Sequence, residues 1–485
     1  MWYNKPEKGV KEEQTILQNG EQQLLGFVSL TEALSLTREQ NRENHRKYIN
    51  PELVKLMGLI NFDKLFVRAE GVSVWDEEGH EYLDFLGGYG ALNLGHNHPK
   101  INAALELVQD VPNLLQASLN PLAGVLARNL ALFTPGDLRY TFFGNSGAEA
   151  VEGALKLARA ATGRQKIVSC EGSFHGKSLG ALSVTGREKY RKPFCPLLPH
   201  ITFIPYGDGE ALEKALSSGD VAAFIVEPIQ GEGGIIVPPD GYLKQVREIC
   251  AHYETLLIVD EIQTGFGRTG RVFACEHEGI VPDIMCVAKS FGGGVMPLAA
   301  YTTNEKVWKK AYGSLTKATL HTSTFGGNSR AAAAGIAALE VIWQENLADQ
   351  AREKGAYLKD KLTELWKKYP FIKEVRGRGL MLGLEFEQPK NSVMNKLTGG
   401  ALEKAAEEYL GSLIAGELMN KHHIITAYTL NNPNVIRLEP PLTITYAQLD
   451  KMIDALEQVC QTNKGFGDML LSSAKTVIGS VFKRK

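Results

Sequence analysis

Two charged residues follow apolar runs of strand length. Asp260 comes directly after Leu256-Leu257-Ile258-Val259, and Lys289 comes after Ile284-Met285-Cys286-Val287-Ala288. In open α/β sheets ligands collect beyond the carboxyl ends of the strands, so both side chains are expected to face one crevice. A lysine amine condenses with a carbonyl group, and a carboxylate stabilises the proton on a pyridine nitrogen. Together they suit a carbonyl-bearing pyridine cofactor whose protonated ring acts as an electron sink. The competing reading is a buried Asp260–Lys289 ion pair.

A phosphate site is the next feature such a cofactor could use. Phe143-Gly144-Asn145-Ser146-Gly147-Ala148-Glu149 follows a strand and opens a helix over residues 150–161. Ser146 and Glu149 have the spacing of a capping box. Backbone N–H groups at a glycine-containing helix start also bind anions, and Gly147 lets an anion come close. Capping alone explains the same spacing. Phe174-His175-Gly176 follows the strand at 166–169; the aromatic ring there either stacks on a flat cofactor or fills the core.

Two glycine motifs are set aside. Gly265-Phe266-Gly267-Arg268-Thr269-Gly270 matches a dinucleotide fingerprint. Asp260 and Glu261 precede it and would repel a pyrophosphate, while Arg268, Thr269 and Arg271 interrupt the apolar helix it should open. Gly176-Lys177-Ser178 ends like a P-loop, but Glu171 occupies the earlier glycine position.

The elements that must position these residues are readable from the hydrophobic pattern. Residues 1–60 read as a polar, helical segment. Residues 67–85 read as short strands with a turn at Asp76-Glu77-Glu78-Gly79. Beyond Pro99, helical stretches alternate with short apolar runs at 140–143, 166–169, 222–226, 256–259 and 284–287. That alternation predicts a mostly parallel sheet covered on both faces. An Ala-rich helix from about 328 and another at 354–369 lead into a small α+β region with strands near 381–384 and 435–438. The resulting division is 1–60 (N-terminal helical segment), 61–98 (first part of the small domain), 99–327 (large domain), 328–463 (remainder of the small domain) and 464–485 (basic amphipathic tail). In the tail, Leu470, Leu471, Ala474, Val477, Ile478, Val481 and Phe482 have helical spacing before Lys483-Arg484-Lys485. A docked terminal helix is expected there, with weak membrane-surface contact as the alternative.

Bulk properties narrow the function classes. With a net charge of -2 and no long basic run in the main body, nothing points to nucleic acid. No apolar stretch reaches membrane-spanning length, and residues 1–20 lack the apolar segment of a secretory signal. The 6 cysteines have no C-x-x-C spacing and mostly sit in apolar runs, which predicts reduced thiols and a cytoplasmic protein.

Further stretches complete a pattern. They are Glu227-Pro228-Ile229-Gln230-Gly231-Glu232-Gly233-Gly234, Asp260-Glu261-Ile262-Gln263-Thr264-Gly265, Thr324-Phe325-Gly326-Gly327-Asn328 and Ile436-Arg437-Leu438-Glu439-Pro440-Pro441. With the runs at 145–149, 174–176 and 288–289, in this order, the chain from about 66 to 460 resembles the class III aminotransferases of the fold-type I pyridoxal-phosphate enzymes. The resemblance implies a large, mostly parallel sheet domain with a smaller α+β domain, and pyridoxal 5'-phosphate as cofactor. It implies that Lys289 is the Schiff-base lysine and proton shuttle, and that Asp260 pairs with the pyridinium nitrogen. Gln263 would contact the phenolic oxygen and Phe174 would stack on the ring. Ser146, Gly147 and Ala148 would form the phosphate site, although many relatives carry Thr where Ala148 stands. Thr324 would reach the phosphate of a neighbouring subunit, making a homodimer, or a dimer of dimers, the active assembly. Arg437 would bind the substrate carboxylate as a bidentate fork. Glu232 would pair with that arginine when the amino donor brings no carboxylate. No metal is implied.

Within the class, the runs at 174–183, 191–194, 292–297 and 429–432 are similar to bacterial putrescine aminotransferases. This implies transfer of a terminal amine from putrescine or cadaverine to 2-oxoglutarate. Ornithine, N-acetylornithine or 4-aminobutyrate are the alternative donors. An aminomutase, or a non-catalytic binding protein on the same fold, are the alternatives of other classes.

Overall fold

The computed structural model describes residues 16–18, 21–23, 27–387 and 401–463. The chain divides into two compact units, Met1–Leu65 and Phe66–Lys485. In the first, helices Leu30–Ala33, Arg38–Tyr48 and Pro51–Leu59 start where the local chemistry requires. Ser29 and Thr37 form capping boxes with Glu32 and Gln40, and Asn50 caps a helix whose first residue is Pro51. The reading of 1–60 as helical overlooks an antiparallel strand pair, Ile16–Gln18 with Glu21–Gln23. Asn19-Gly20 lies between these strands in sequence and is the dipeptide that favours a two-residue hairpin turn.

The second unit is built on a seven-stranded sheet. Its order is Tyr140–Gly144, Ala299–Thr303, Ile284–Val287, Leu256–Asp260, Val221–Val226, Lys166–Cys170 and Ile201–Ile204. Only Ala299–Thr303 runs against its neighbours; the other neighbouring pairs are parallel. Every residue of the interior Val221–Val226 strand is buried, as expected of a strand covered on both faces. The helix Gly147–Thr162 packs Val151, Ala154, Leu155 and Ala158 into a core that includes Ile225, Ile258 and Ile284. Two strands are missing from the expected set. Ile201–Ile204 is a short edge strand overlooked although Ile, Thr and Phe all favour strands, and Ala299–Thr303 opens on two alanines, which weakens its β signal.

Two four-stranded sheets complete this unit. One has the order Ile372–Arg378, Met381–Phe386, Val435–Leu438, Ala427–Tyr428. The other has Ile424–Ile425, Glu81–Asp84, Ser73–Asp76, Phe66–Glu70, with Ile424–Ile425 parallel to Glu81–Asp84. The helix Ser329–Gln344, capped by Asn328, leads into Leu347–Lys368, which begins seven residues before its expected start at 354.

The glycine run at 265–270 serves packing. Arg268 is fully buried and donates to the carbonyls of Leu380 and Pro440 and to Asn93 Oδ1. A Cβ on Gly270 would lie 3.0 Å from Arg352 Cβ of the Leu347–Lys368 helix. Gly379, at φ +57, wedges between this loop and the same helix. A Cβ on it would lie 2.5 Å from the Thr269 carbonyl carbon, and one on Gly355 would lie 2.1 Å from Gly379 O.

Among the described residues no helix is long and apolar enough to cross a membrane, and no metal-ligating cluster is present. The amphipathic segment at 464–485 lies outside the described residues. All 6 cysteines are free thiols; five are buried, whereas Cys195 is exposed. The close approach at Gly355 generates a prediction. Gly355→Ala should destabilise the protein by about 1–3 kcal/mol through backbone overpacking, read as a lowered midpoint in thermal or urea unfolding; an unchanged midpoint would contradict the packing described.

Candidate active site

Strand ends create the site. Asp260 closes its strand and is buried; Lys289 lies one residue beyond Ala288, at the start of a short 3₁₀ turn. Lys289 has φ +54, a left-handed backbone rarely adopted by a residue with a side chain and costing of order 1 kcal/mol. Both residues line a cavity of about 430 Å³, which Ser146, Gly147, Ala148, Phe174 and Gln263 also line. Seven of the residues expected to contact the cofactor or perform the chemistry therefore meet in one cavity.

The buried Asp260–Lys289 ion pair considered from sequence does not form. Lys289 makes no hydrogen bond or ion pair among the described residues, while Asp260 Oδ2 lies 2.7 Å from His175 Nδ1. Asp260 Oδ1 accepts from Ile262 N–H at 3.1 Å. Burial opposes charge on His175, but the hydrogen bond and charge of Asp260 outweigh it and raise its pKa. Desolvation lowers the pKa of Lys289, against the pull of Glu439 and Glu232. Burial thus makes its proton easier to lose, and the amine has no side-chain partner among the described residues to displace.

The helix start has half of the expected capping box. Ser146 Oγ accepts from Glu149 N–H at 3.3 Å, but Glu149 Oε2 accepts from Asn145 N–H at 2.9 Å instead of from the cap residue. At Gly147 a Cβ would lie 2.9 Å from Ile262 Cδ1, so a larger residue there would make the Ile262 side chain shift.

Behind the cavity lies a chain of buried polar groups. Gln263 Nε2 donates to Glu439 Oε1 and Oε2 at 2.8 and 3.0 Å. Glu439 Oε2 is 3.4 Å from Arg437 Nη1, and Arg437 Nη2 is 2.5 Å from Glu232 Oε2. Arg437 is fully buried, its Nε has no partner among the described residues, and its guanidinium carbon lies 5.1 Å from the centre of the Tyr89 ring. Burial works against the Glu232 carboxylate, but Arg437 holds its pKa below the ordinary value. Thr324 alone among the expected residues stands apart. It is exposed, its carbonyl accepts from Gln116 Nε2 at 2.7 Å, and it does not line the cavity of its own chain.

Three site residues were not singled out from the sequence. His175 adjoins Phe174, and Glu439 lies two positions from Arg437 just past the end of the same strand, so adjacency was the available signal. Glu227 follows the buried Val221–Val226 strand just as Asp260 ends its own. It lines the cavity and accepts from Phe174 N–H at 2.9 Å and Gly231 N–H at 3.2 Å. Burial pushes its pKa up to about 7.

The family model described as aminotransferase class-III matches residues 60–460. The chain belongs to the class III aminotransferase family. It is 41% identical over 469 residues to Aminotransferase PigE of Serratia sp., a match covering 90% of this chain and 55% of that protein. The chain thus spans about half the length of this curated relative. Among solved structures it is similar to an ornithine aminotransferase from Toxoplasma gondii, with 34% identity, TM-score 0.78, and coverage of 89% of this chain and 96% of the other. An (S)-enantioselective omega-transaminase from Thermomicrobium roseum matches at 32% identity and TM-score 0.74, covering 82% and 93%. The fold is that of the fold-type I pyridoxal-phosphate transferases, and pyridoxal phosphate is the cofactor.

The residues present fit that group. The cavity offers an unpartnered amine at Lys289, a buried carboxylate at Asp260 and an aromatic side chain at Phe174. It also contains the N-terminus of a 16-residue helix, whose free N–H groups and dipole suit a phosphate.

Glu227 yields a pH prediction. Its folded pKa of about 7 exceeds the ordinary 4.5, so between those values the native state holds a proton that the unfolded chain has lost. Its contribution to stability therefore falls as pH rises through that window. Glu227→Gln removes the titration, so the melting temperature of the variant minus that of the wild type should be higher at pH 8 than at pH 5. A difference independent of pH would contradict the raised pKa.

Proposed function

We propose that this chain is an aminotransferase that moves a terminal amino group from a diamine, putrescine or cadaverine, to 2-oxoglutarate. The observation that carries terminal-amine transfer to a carboxylate-bearing acceptor is the Arg437–Glu232 pair, 2.5 Å apart and buried, while the choice of a diamine rests on the resemblance of the runs at 174–183, 191–194, 292–297 and 429–432. A free guanidinium would be costly in a dry pocket receiving an ammonium-bearing donor. With Glu232 in contact, that charge is neutralised and a donor without a carboxylate can enter. 2-Oxoglutarate brings a carboxylate that can replace Glu232, and the unpartnered Nε leaves Arg437 a further donor for it.

Bound pyridoxal phosphate supplies a carbonyl that takes up the amine and a ring that withdraws electrons from the neighbouring carbon. In this reading Lys289 Nζ removes and returns the proton on that carbon. Asp260, held by His175 and the Ile262 N–H, keeps a carboxylate at the ring nitrogen. Ser146, Gly147 and Ala148 orient the phosphate, and Phe174 stacks on the ring. Gln263 reaches the phenolic oxygen with an amide that Glu439 already orients. Thr324, outside its own cavity, serves the phosphate site of a second copy, so the active assembly is a homodimer. The reduced thiols are consistent with a cytoplasmic setting.

Ornithine is the second reading, favoured by the name of the Toxoplasma relative; the Arg437–Glu232 pair serves that donor equally. A panel of putrescine, cadaverine, ornithine, N-acetylornithine and 4-aminobutyrate with 2-oxoglutarate, reading glutamate, separates them. The diamines should give the highest kcat/KM, and a clear preference for ornithine would overturn the diamine assignment. Arg437→Ala should raise the KM for 2-oxoglutarate at least about tenfold, or ~1.4 kcal/mol, while changing the diamine half-reaction little by stopped-flow absorbance. Equal losses in both halves would make Arg437 purely structural.

The shared site is tested by mixing Lys289→Ala with an inactive Thr324 variant. If subunits exchange, mixed dimers contain one intact site and should regain activity. Exchange without recovery counts against Thr324 acting on its partner.

A further inference from the structure

Glu232 is held by more than Arg437. The loop between the Ala427–Tyr428 and Val435–Leu438 strands reaches it twice. Leu430 N–H donates to Glu232 Oε2 at 2.9 Å, the oxygen that also meets Arg437, and Asn431 N–H donates to the Glu232 carbonyl at 2.9 Å. This loop is anchored from outside the site. Arg187 Nη1 donates to Leu430 O and lies 3.4 Å from Asn431 Oδ1. Tyr190 OH reaches Leu430 O at 3.4 Å, and Asn431 Nδ2 donates to Gly172 O at 2.7 Å.

Leu430 C=O and Asn431 N–H belong to one peptide group. A guanidinium on its oxygen polarises its N–H toward the Glu232 backbone carbonyl and so holds the loop against the Glu232 main chain, because hydrogen bonds in series strengthen one another. Arg187 stacks near Tyr190, with its guanidinium carbon 5.5 Å from the ring centre, and does not line the cofactor cavity. Its hold on this peptide is therefore separable from the chemistry at Lys289.

We propose that Arg187 is a positioning residue that, by anchoring the Leu430–Asn431 peptide, keeps Glu232 on Arg437 and so sets the balance between donors without a carboxylate and acceptors that bring one. This rests on the reading of Arg437 and Glu232 given above. With the anchor in place, Glu232 Oε2 has two donors in fixed positions. Without it, the Leu430–Asn431 segment keeps only the hydrogen bonds to Tyr190, Gly172 O and the Glu232 carbonyl, so the Leu430 N–H is less firmly placed and the paired state weakens. A ligand carboxylate competes with Glu232 for Arg437, so its apparent affinity scales with the fraction of molecules in which Glu232 has let go. Loosening the peptide should therefore favour carboxylates and disfavour diamines, the opposite of Arg437→Ala.

The test compares wild-type holoenzyme with Arg187→Ala and Arg187→Lys. Glutarate binding, measured by calorimetry, reports the competition without turnover. Arg187→Ala should bind glutarate about three- to tenfold more tightly, with Arg187→Lys shifted less in the same direction. In stopped-flow, the diamine half-reaction of Arg187→Ala should slow about fivefold or more while the 2-oxoglutarate half-reaction stays within about twofold. Unchanged or weaker glutarate binding in a folded, cofactor-replete variant overturns the proposal. If the alanine variant does not fold, an unchanged glutarate affinity in Arg187→Lys does the same. Wild-type enzyme that ignores diamines while the glutarate shift appears overturns the diamine reading and leaves the role of Arg187 standing.

Discussion

A guanidinium taken wholly out of water is the constraint around which the site is arranged. Desolvating one such ion costs several kcal/mol, and only well-placed countercharge makes it tolerable. Arg437 has that countercharge in Glu232 and Glu439 and the π-face of Tyr89 beyond. Each partner is tied to a different part of the chain. Glu232 lies past the end of the interior Val221–Val226 strand, Glu439 donates its backbone N–H to Phe85 O, and Tyr89 sits in a turn of left-handed glycines. A Cβ on Gly87 would lie 2.3 Å from Glu439 O, so this turn approaches the Arg437 segment backbone to backbone. Settling one charge thereby fixes three stretches of chain against one another.

The same economy of charge extends to the cofactor cavity. Asp260, Glu227, Glu232 and Glu439 stand around His175, Lys289 and Arg437, and the acidic groups would repel one another if every carboxyl were ionised in a dry pocket. The raised pKa of Glu227 and the protonated tendency of His175 relieve that repulsion. Phe174 depends on the arrangement, since its backbone N–H is held by Glu227.

Much of this was legible in the sequence because strand ends announce themselves. Asp260 and Lys289 follow uninterrupted apolar runs, and a residue in that position has little choice but to face the crevice. Ser146 announces itself as a cap. His175 and Glu439 were passed over because their roles are relational, whereas Glu227 shares the strand-end position of Asp260 and was overlooked despite that signal. His175 matters through Asp260, 85 residues away, and Glu439 through Gln263, 176 residues away. No local pattern encodes such distances. The Ala299–Thr303 strand was missed for a different reason: its partners supply the pairing that its own side chains do not advertise. The glycine run at 265–270 matched a ligand motif but is explained by crowding, since three segments converge where Gly379 meets Thr269 and Gly355.

The parallel pairing of Ile424–Ile425 with Glu81–Asp84 bears on how the molecule is made. Glu81–Asp84 is synthesised early, together with Ser73–Asp76, its partner on one side in the fold. Its other edge has no mate until the chain has been synthesised past the whole seven-stranded sheet. During that interval the nascent chain carries an open strand edge, the feature through which unfinished proteins join one another. Closing so long a loop is slow, because distant contacts form only after its entropy has been overcome. Arg437 lies beyond Ile425 in sequence, so the buried guanidinium around which the site is arranged also arrives late in synthesis.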